Sequence, residues 1–291
     1  MAARSAEGYY GEDLISARVR IPRRLYIEAV TVCVDYSDFL AHSLLFNKQA
    51  FDRLIVATTP TDEATRRLCE YHDIEYVIST DFYQHEGWTP PTWGQGRIYR
   101  PPFAKAKGIN AALRALSQAD WVVHLDADIV LPPRARDMFE LAQLDGDCIY
   151  GIDRLMSKSY DDWVRHLVYP ELHHDANIFV RANSFPLGVR IAPHRDPNGG
   201  WLPIGFFQMW HPGKSGIHDY PQKHHSAGRT DMQHGMRWPR ERRAIIPELT
   251  AIHLESEEVR MGANWEGRRT RFFGPAGMER HTVQIARKEW L

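Results

Sequence analysis

The sequence predicts an α/β fold with a mostly parallel central sheet, and three observations define that expectation. Short apolar runs rich in β-branched residues alternate with segments of helical periodicity through the first half of the chain. Hydrophobic residues make up 43% of the 291 residues, which is enough to form a core and excludes a disordered chain. No run approaches the roughly 20 apolar residues of a membrane-spanning helix, and the N-terminus contains no apolar signal core.

The strands and helices of the first half are expected in strict alternation. Predicted strands cover residues 28–35, 53–58 and 74–78, begin again at 121, and cover 147–152; predicted helices cover 36–49, 61–71 and 104–117. This order is typical of a nucleotide-binding half. The first strand is not followed by Gly-X-Gly-X-X-Gly, and the chain lacks Gly-X-X-X-X-Gly-Lys-[Ser/Thr]. Neither a dinucleotide-binding fold nor a P-loop is therefore expected.

The most informative stretch is residues 121–133, which read WVVHLDADIVLPP. An apolar run typical of a buried parallel strand ends there in Asp126 and Asp128. Open α/β sheets bind ligands outside the carboxyl ends of their strands. Two carboxylates at that position suit a hard divalent cation that bridges to a diphosphate. The alternative for so short a motif is a solvated turn.

Three other features add candidate chemistry, each with an ordinary alternative. Lys105 and Lys107 open the helix before the Asp-X-Asp strand, where they could meet a phosphate or simply be solvated. His253 ends an apolar, strand-like stretch and is either a third metal ligand or a satisfied core histidine. Asp231 begins a short amphipathic segment and is either a general base or a helix N-cap.

In order and spacing these motifs resemble those of GT-A glycosyltransferases over residues 26–273. Residues 205–212 (GFFQMWHP) and 262–268 (GANWEGR) are similar to motifs of the base-J and TET-associated DNA glycosyltransferases. Those enzymes add a sugar to the hydroxymethyl group of a modified pyrimidine in DNA, and many TET-associated ones are phage-encoded. The glycine that usually follows the late histidine-leucine pair is replaced here by Glu255.

The resemblance implies a role for each matching residue. Asp231 would be the general base of an inverting, single-displacement transfer, with Asp126, Asp128 and His253 as metal ligands. Mn²⁺ or Mg²⁺ and a UDP-sugar are the implied cofactors, and a histidine ligand favours Mn²⁺. Asp35, Tyr36 and Thr58 would lie at the uracil and ribose of the donor, with Asp126 near the ribose and the metal. Lys105 or Lys107 would approach the diphosphate, and Trp265 and Arg268 would close over it. Residues 205–208, with Gly205, Phe206 and Gln208 among them, would form the wall for the donor sugar and the acceptor.

The resemblance also suggests how the chain is organised. An N-terminal arm (1–25) would precede a single GT-A domain (26–291), with a nucleotide-sugar half (26–150), an acceptor half (151–273) and a tail (274–291). The implied acceptor is DNA that contains 5-hydroxymethylcytosine or 5-hydroxymethyluracil. No membrane association and no obligate protein partner are expected. The expected location is the cytoplasm, which would be that of a phage-infected bacterium if the chain is phage-encoded.

Charge does not decide whether the chain binds DNA, because 36 basic residues face 37 acidic ones. Local patches could decide it: four arginines lie at 18–24 and four at 237–243, and three at 268–271 lie beside Trp265, Phe272 and Phe273. The alternative is ordinary, because surface arginines and core aromatics are common. Five histidines in one region are expected to line the acceptor cleft in preference to forming a second metal site; they are His211, His218, His224, His225 and His234.

Two other functions remain open on the sequence alone. The same fold could act on a glycan or protein acceptor, and a non-catalytic nucleic-acid-binding protein could use the arginine and aromatic patches. The second of these leaves the Asp-X-Asp motif and His253 unexplained. The three cysteines, Cys33, Cys69 and Cys148, are expected to be buried thiols.

Overall fold

The computed structural model describes residues 24–83, 103–157, 159–168, 179–180, 189–191, 201–222, 227–255 and 272–275. The strands in these ranges are β1 Ile27–Val32, β2 Arg53–Thr58, β3 Glu75–Ile78, β4 Trp121–Leu125, β5 Ile129–Val130, β6 Ile149–Ser157, β7 Phe179–Val180, β8 Val189–Ile191, β9 Trp201–Pro203, β10 Phe207–Trp210 and β11 Arg243–Leu254. The helices are α1 Ser37–Lys48, α2 Glu63–Tyr71, α3 Lys105–Leu113, α4 Ala135–Leu141, α5 Tyr160–Val168, α6 Pro212–Ser215 and α7 Ala227–Gly235.

One sheet passes through both predicted halves of the chain. Its strand order is β3-β2-β1-β4-β10-β6-β11-β5, and β7 pairs with β6. The strands β3, β2, β1 and β4 are parallel, as are β6 and β11, and β10 is antiparallel to both of its neighbours. Most of the paired residues are therefore in parallel register, which confirms the predicted α/β class. A separate two-stranded sheet pairs β8 with β9.

Helices cover both faces of the parallel half, because its strands are apolar on both sides. Leu40 and Leu44 of α1 and Cys69 of α2 pack on one face, whereas Ile109 and Leu113 of α3 pack on the other. The strands β1, β2 and β4 are almost entirely buried as a result. Burial on both faces leaves the strand ends as the place where polar side chains reach solvent.

Most element boundaries agree with the periodicity of the sequence. Helix α3 ends at Leu113, short of the predicted residue 117, and a turn follows in which Gln118 has a φ of 52°. Strand β6 runs five residues beyond residue 152, because its parallel pairing with β11 continues to Ser157. In the described ranges, no helix combines the length and apolar character needed to cross a membrane.

The cysteines confirm the prediction of buried thiols. Cys33, Cys69 and Cys148 are all free and buried. Burial raises the pKa of the Cys69 thiol to about 12, with a further contribution from the nearby Asp62 carboxylate. These thiols therefore pack as small apolar groups.

Two polar side chains of α1 hold the segment that follows β4. Asn47 donates to the carbonyl of Ile129 at 2.7 Å and accepts from the amide of Leu131 at 2.9 Å. Ser43 donates to the carbonyl of Ala127 at 2.6 Å. Both side chains are buried. The short strand β5 thus takes its position from α1 as well as from β11.

We expect Asn47→Ala to lower the free energy of unfolding by about 2–4 kcal/mol, because it leaves two buried backbone groups without partners. Urea denaturation followed by circular dichroism measures the change. Gln49→Ala at the exposed end of the same helix is the control, with an expected change of about 0.5 kcal/mol or less. Equal effects of the two substitutions would contradict the anchoring role of Asn47.

Candidate active site

The candidate site lies at the carboxyl edge of the parallel strands. Asp126 and Asp128 directly follow β4, and β10 runs antiparallel beside that strand. The amide of Asp126 donates to the carbonyl of Phe206 at 2.9 Å, which closes the edge between the two strands. His253, near the end of β11, is paired with Ile129 of β5. Elements far apart in the sequence therefore converge on the Asp-X-Asp motif.

Lys105 links the first aspartate of the motif to Asp231. Its ammonium Nζ lies 2.6 Å from Oδ1 of Asp126 and 3.5 Å from Oδ2 of Asp231. Lys105 is the first residue of α3, and only 9% of its side chain is exposed. The predicted metal ligand and the predicted base are thus held by one buried cation. Lys107, the other candidate, is partly exposed two residues further along the helix.

The charges at this point shift the pKa values of the groups that carry them. Burial lowers the pKa of the Lys105 ammonium, but attraction to Asp126 and Asp231 outweighs it and the net shift is upward. Burial raises the pKa of the Asp126 carboxyl; Lys105 offsets part of that rise and the neighbouring Asp128 carboxylate adds to it. Lys105 is therefore a permanent positive charge in the site.

The second aspartate of the motif has a different set of partners. Nε2 of His253 lies 3.3 Å from Oδ2 of Asp128, and Nδ1 of His253 lies 2.9 Å from Nη1 of Arg154. Because a guanidinium can only donate, Nδ1 must accept this hydrogen bond, and Nε2 carries the ring proton towards Asp128. The Arg154 guanidinium is buried and lies 4.4 Å from the centre of the Phe206 ring.

The two carboxylates fit a divalent cation better than the histidine does in this arrangement. Oδ1 of Asp128 is buried and accepts no hydrogen bond from the described residues, and carboxylate oxygens are the ligands that Mg²⁺ and Mn²⁺ prefer. His253 could offer Nε2 to a metal only if its proton moved to Nδ1 and Arg154 withdrew. Over the described residues, no group of three or more histidine, cysteine or acidic side chains is already gathered as a metal site.

Asp231 lies inside helix α7 and not at its start, so the alternative of an N-cap is wrong. Its side chain packs against Gly205, the residue before Phe206. A Cβ atom at position 205 would lie 1.8 Å from Cγ of Asp231 and 1.9 Å from its Oδ2. Gly205, expected in the wall of the donor-sugar site, therefore provides the space that the Asp231 carboxyl occupies.

Gln208 is also expected in that wall, but it is fully buried beneath it. Its amide Nε2 donates to the carbonyls of Pro203 at 3.0 Å and Asp231 at 3.1 Å. Its Oε1 accepts from the Tyr220 hydroxyl at 2.5 Å. With all these groups engaged, Gln208 supports the backbone of α7 and cannot contact a donor sugar. Phe206, the third residue of the expected wall, is buried under Arg154.

The same hydrogen bonds determine the tautomer of His124, which precedes Asp126 by two residues on β4. The Tyr220 hydroxyl gives its proton to Gln208, so it must accept from Nδ1 of His124 at 3.3 Å. Nε2 of His124 then carries a lone pair, lies 3.7 Å from Oδ1 of Asp126, and has no hydrogen-bond partner in the described part of the chain. Burial and the charge of Lys105 lower the pKa of His124 and keep it neutral.

Residues expected near the nucleoside are arranged around Asp62, the N-cap of α2. Oδ2 of Asp62 accepts from the amide of Asp35 at 2.8 Å and from the hydroxyl of Thr58 at 3.3 Å. Asp35 follows β1 with a φ of 56°, and Thr58 is fully buried. Tyr36 stacks on Phe39 with 4.5 Å between ring centroids. Asp62 thereby joins the ends of β1 and β2, and the Thr58 hydroxyl is used in this structural contact.

The remaining predicted site residues, Trp265 and Arg268, lie outside the described residues. So do His224, His225 and most of the first and third arginine patches. His234 is a core residue, contrary to the expectation of a cleft-lining histidine: it is fully buried and stacks on Tyr220 with 3.7 Å between centroids.

The arginine patch at 237–243 is largely engaged within the fold. Arg243 is buried and donates to the carbonyl of Trp238 at 3.0 Å. Arg242 pairs with Asp145 at 2.8 Å, and Arg237 pairs with Asp219 at 3.2 Å. Three of the four arginines thus have protein partners, and the patch is not the uncommitted cation cluster that a DNA contact would favour.

The sequence did not predict that His124 belongs to the site or that Arg154 is the partner of His253. His124 could have been found from strand geometry, because residues two apart on a strand face the same side and His124 must share the face of Asp126. Arg154 has no such local signal. Its contact with His253 depends on the parallel register of β6 and β11, which places Arg154 opposite Ala251.

We expect Gly205→Ala to lower the free energy of unfolding by about 1–3 kcal/mol, because the new methyl group overlaps the Asp231 carboxyl. Urea denaturation measures the change. Gly213→Ala in the exposed helix α6 is the matched control, since a Cβ there comes no closer than 3.3 Å to His211. If alanine at 205 proved as harmless as alanine at 213, the close packing of Gly205 against Asp231 would be refuted.

Comparisons with known proteins find similarity in solved structures alone. No protein-family model matches the sequence, and no curated protein matches it significantly. Similar solved structures include mannosyl-3-phosphoglycerate synthase from Rubrobacter xylanophilus, at 18% identity and a TM-score of 0.33, covering 51% of this chain and 49% of that one. Glucosyl-3-phosphoglycerate synthase from Mycobacterium tuberculosis, in complex with Mn²⁺, UDP and phosphoglyceric acid, matches at 16% identity and a TM-score of 0.29, covering 51% of each chain. This chain spans about half the length of the structures it matches.

Proposed function

We propose that the chain is a metal-dependent, inverting glycosyltransferase of the GT-A type. It would move a sugar from a UDP-sugar to the hydroxymethyl group of 5-hydroxymethylcytosine or 5-hydroxymethyluracil in DNA. One observation carries the proposal: Lys105 contacts both Asp126 and Asp231, so the candidate metal ligand and the candidate base lie at one site. These two carboxylates come from elements about a hundred residues apart, and the fold gathers them at the edge where α/β sheets bind ligands.

Asp126 and Asp128 are the residues that would hold the divalent cation, with His253 joining them if Arg154 releases its Nδ1. The cation would stabilise the negative charge that develops on the diphosphate leaving group. Arg154 and Lys105 are buried cations beside these ligands. They add positive potential at the same edge of the sheet, where a donor diphosphate would lie.

Asp231 would accept the proton of the acceptor hydroxyl as that oxygen attacks the anomeric carbon of the sugar. General-base catalysis of this kind contributes about 10²–10⁴-fold to the rate. The carboxyl group is well placed to act as a fixed base, because Gly205 packs against it and Gln208 binds the carbonyl of its own residue. One displacement assisted by one base inverts the anomeric configuration, so an α-linked donor would give a β-linked product.

DNA as the acceptor is supported by sequence motifs, namely residues 205–212 and 262–268, which resemble those of enzymes that glycosylate DNA bases. The arginine segments at 18–24 and 268–271 add candidate phosphate contacts. A glycan or protein acceptor is the alternative, and it would be favoured if the UDP-sugar were hydrolysed without transfer to DNA. The proposal of a purely nucleic-acid-binding protein is weaker, because it gives no role to the carboxylates around Lys105.

The proposed reaction is tested by incubating the protein with MnCl₂, a panel of UDP-sugars and duplex DNA that contains either modified base. Mass spectrometry of the digested nucleosides should show the mass of one sugar added to one of the modified bases. Unmodified duplex of the same sequence is the control. Hydrolysis of a UDP-sugar without transfer would reject the DNA acceptor and retain the glycosyltransferase, whereas no reaction with any donor would reject both.

We expect Asp231→Asn to reduce kcat by about 10²–10⁴-fold while leaving the Kd of the UDP-sugar within about twofold, since only the base is removed. Asp137→Asn on the exposed face of α4 is the matched control and should retain full turnover. Initial rates and calorimetric donor binding provide the two readouts. Turnover of the Asp231 variant within about tenfold of the parent would exclude it as the base.

A further inference from the structure

The Lys105 ammonium is surrounded by groups that attract a cation. Oδ1 of Asp126 lies 2.6 Å from Nζ, and Oδ2 of Asp231 lies 3.5 Å from it. The unprotonated Nε2 of His124 lies 3.7 Å from the same Asp126 oxygen. Two carboxylates and an imidazole lone pair are oxygen and nitrogen ligands of the kind that divalent metals take. In this structure the cation that contacts the two carboxylates is the Lys105 ammonium.

Lys105 and a divalent cation would compete for the Asp126 carboxylate, because two positive charges on one carboxylate repel each other. At 2.6 Å the ammonium forms a direct, charge-assisted hydrogen bond with Oδ1. A metal ion bound to Asp126 would weaken this hydrogen bond, because its charge and that of the ammonium would repel strongly in a partly buried site. Lysine is suited to such an exchange, because its charge sits at the end of a flexible four-carbon chain.

We propose that Lys105 is an internal counter-ion that competes with the divalent metal for Asp126. This inference rests on the proposed metal-dependent function and adds a control on when the metal binds. Without metal, Lys105 neutralises Asp126 and holds it beside Asp231. When the metal binds, the ammonium leaves Asp126 and keeps Asp231 as its nearest charged partner, where it is also available to a donor diphosphate.

Two features of the site support competition over a purely structural ion pair. Asp126 remains 32% exposed although its partner Lys105 is almost completely buried, so a metal can approach the carboxylate from the solvent side without passing the ammonium. Asp128 also keeps a buried oxygen that accepts no hydrogen bond from the described residues. The carboxylates thus retain binding capacity that Lys105 does not fill.

The proposal predicts that Lys105→Met binds Mn²⁺ more tightly than the parent protein, with Kd lower by about tenfold or more, a typical size for coupling between two bound species. Binding is measured without donor or acceptor, from the electron paramagnetic resonance signal of free Mn²⁺ during titration. Lys107→Met is the matched control, because it removes a positive charge two residues along the same helix. Its Kd should stay within about twofold of the parent value.

The outcomes separate this inference from the proposed function. Equal or weaker Mn²⁺ binding by Lys105→Met than by the parent would overturn the competition and leave metal-dependent transfer standing. Failure of the parent and of every lysine variant to bind Mn²⁺ would overturn the metal requirement as well. Asp128→Ala, which removes a metal ligand, gives the baseline for nonspecific binding.

A folding defect in the methionine variant would not block the test. Lys105→Gln also removes the charge while keeping a polar side chain, and it should show the same gain in Mn²⁺ affinity. Thermal unfolding gives an independent readout. The same concentration of Mn²⁺ should raise the Tm of either neutral variant more than that of the parent, because a ligand stabilises a folded protein more when it binds that protein more tightly. An equal rise in Tm for parent and variants would count against competition.

Discussion

The pairing of the two carboxylates at the end of β4 with buried polar partners is the constraint on which the rest of the site depends. An unpaired charge at the end of a buried strand is costly, because the surroundings cannot replace the water that it loses. Asp126 meets this requirement through Lys105, and Asp128 through His253 with Arg154 behind it. These partners come from α3, β6 and β11, so the positions of three elements are tied to one Asp-X-Asp motif.

This arrangement leaves the two aspartates unlike each other. Asp126 faces the buried Lys105 ammonium and stays partly exposed, whereas Asp128 faces a histidine whose tautomer is set by an arginine on its other side. A metal that binds Asp126 therefore competes with Lys105, whereas Asp128 keeps one oxygen, Oδ1, that accepts no hydrogen bond from the described residues. Metal affinity at this site is therefore the difference between the contacts that the metal gains and the Lys105–Asp126 ion pair that it weakens.

A buried network of hydrogen bonds holds the backbone of the candidate base, Asp231. Gln208 uses its amide on two backbone carbonyls, one of them at Asp231, and its oxygen on Tyr220. Each hydrogen bond determines the donor of the next, and the chain ends at the lone pair of His124 beside Asp126. The network is fully buried, where hydrogen bonds are strong and a lost partner is costly. It therefore links the position of α7 to the position of the end of β4.

Different elements of the scaffold hold different parts of the site in place. The parallel strands β1, β2 and β4 end at one edge, and Asp62 ties the first two ends together through the amide of Asp35 and the hydroxyl of Thr58. Helix α1 fixes the segment after β4 through Ser43 and Asn47. Rigid elements thus surround the carboxylates, as a site that must hold reacting groups in place requires.

The sequence by itself determined the alternation of strands and helices and the position of Asp126 and Asp128 at a strand end, because both follow from local periodicity. Only the tertiary structure decided that Lys105 meets Asp126 and Asp231, that Arg154 sets the tautomer of His253, and that Gln208 and His234 are core residues. The reason is physical: contacts between distant residues depend on strand order, register and the rotation of each helix, and one step of register reverses the face on which a side chain lies.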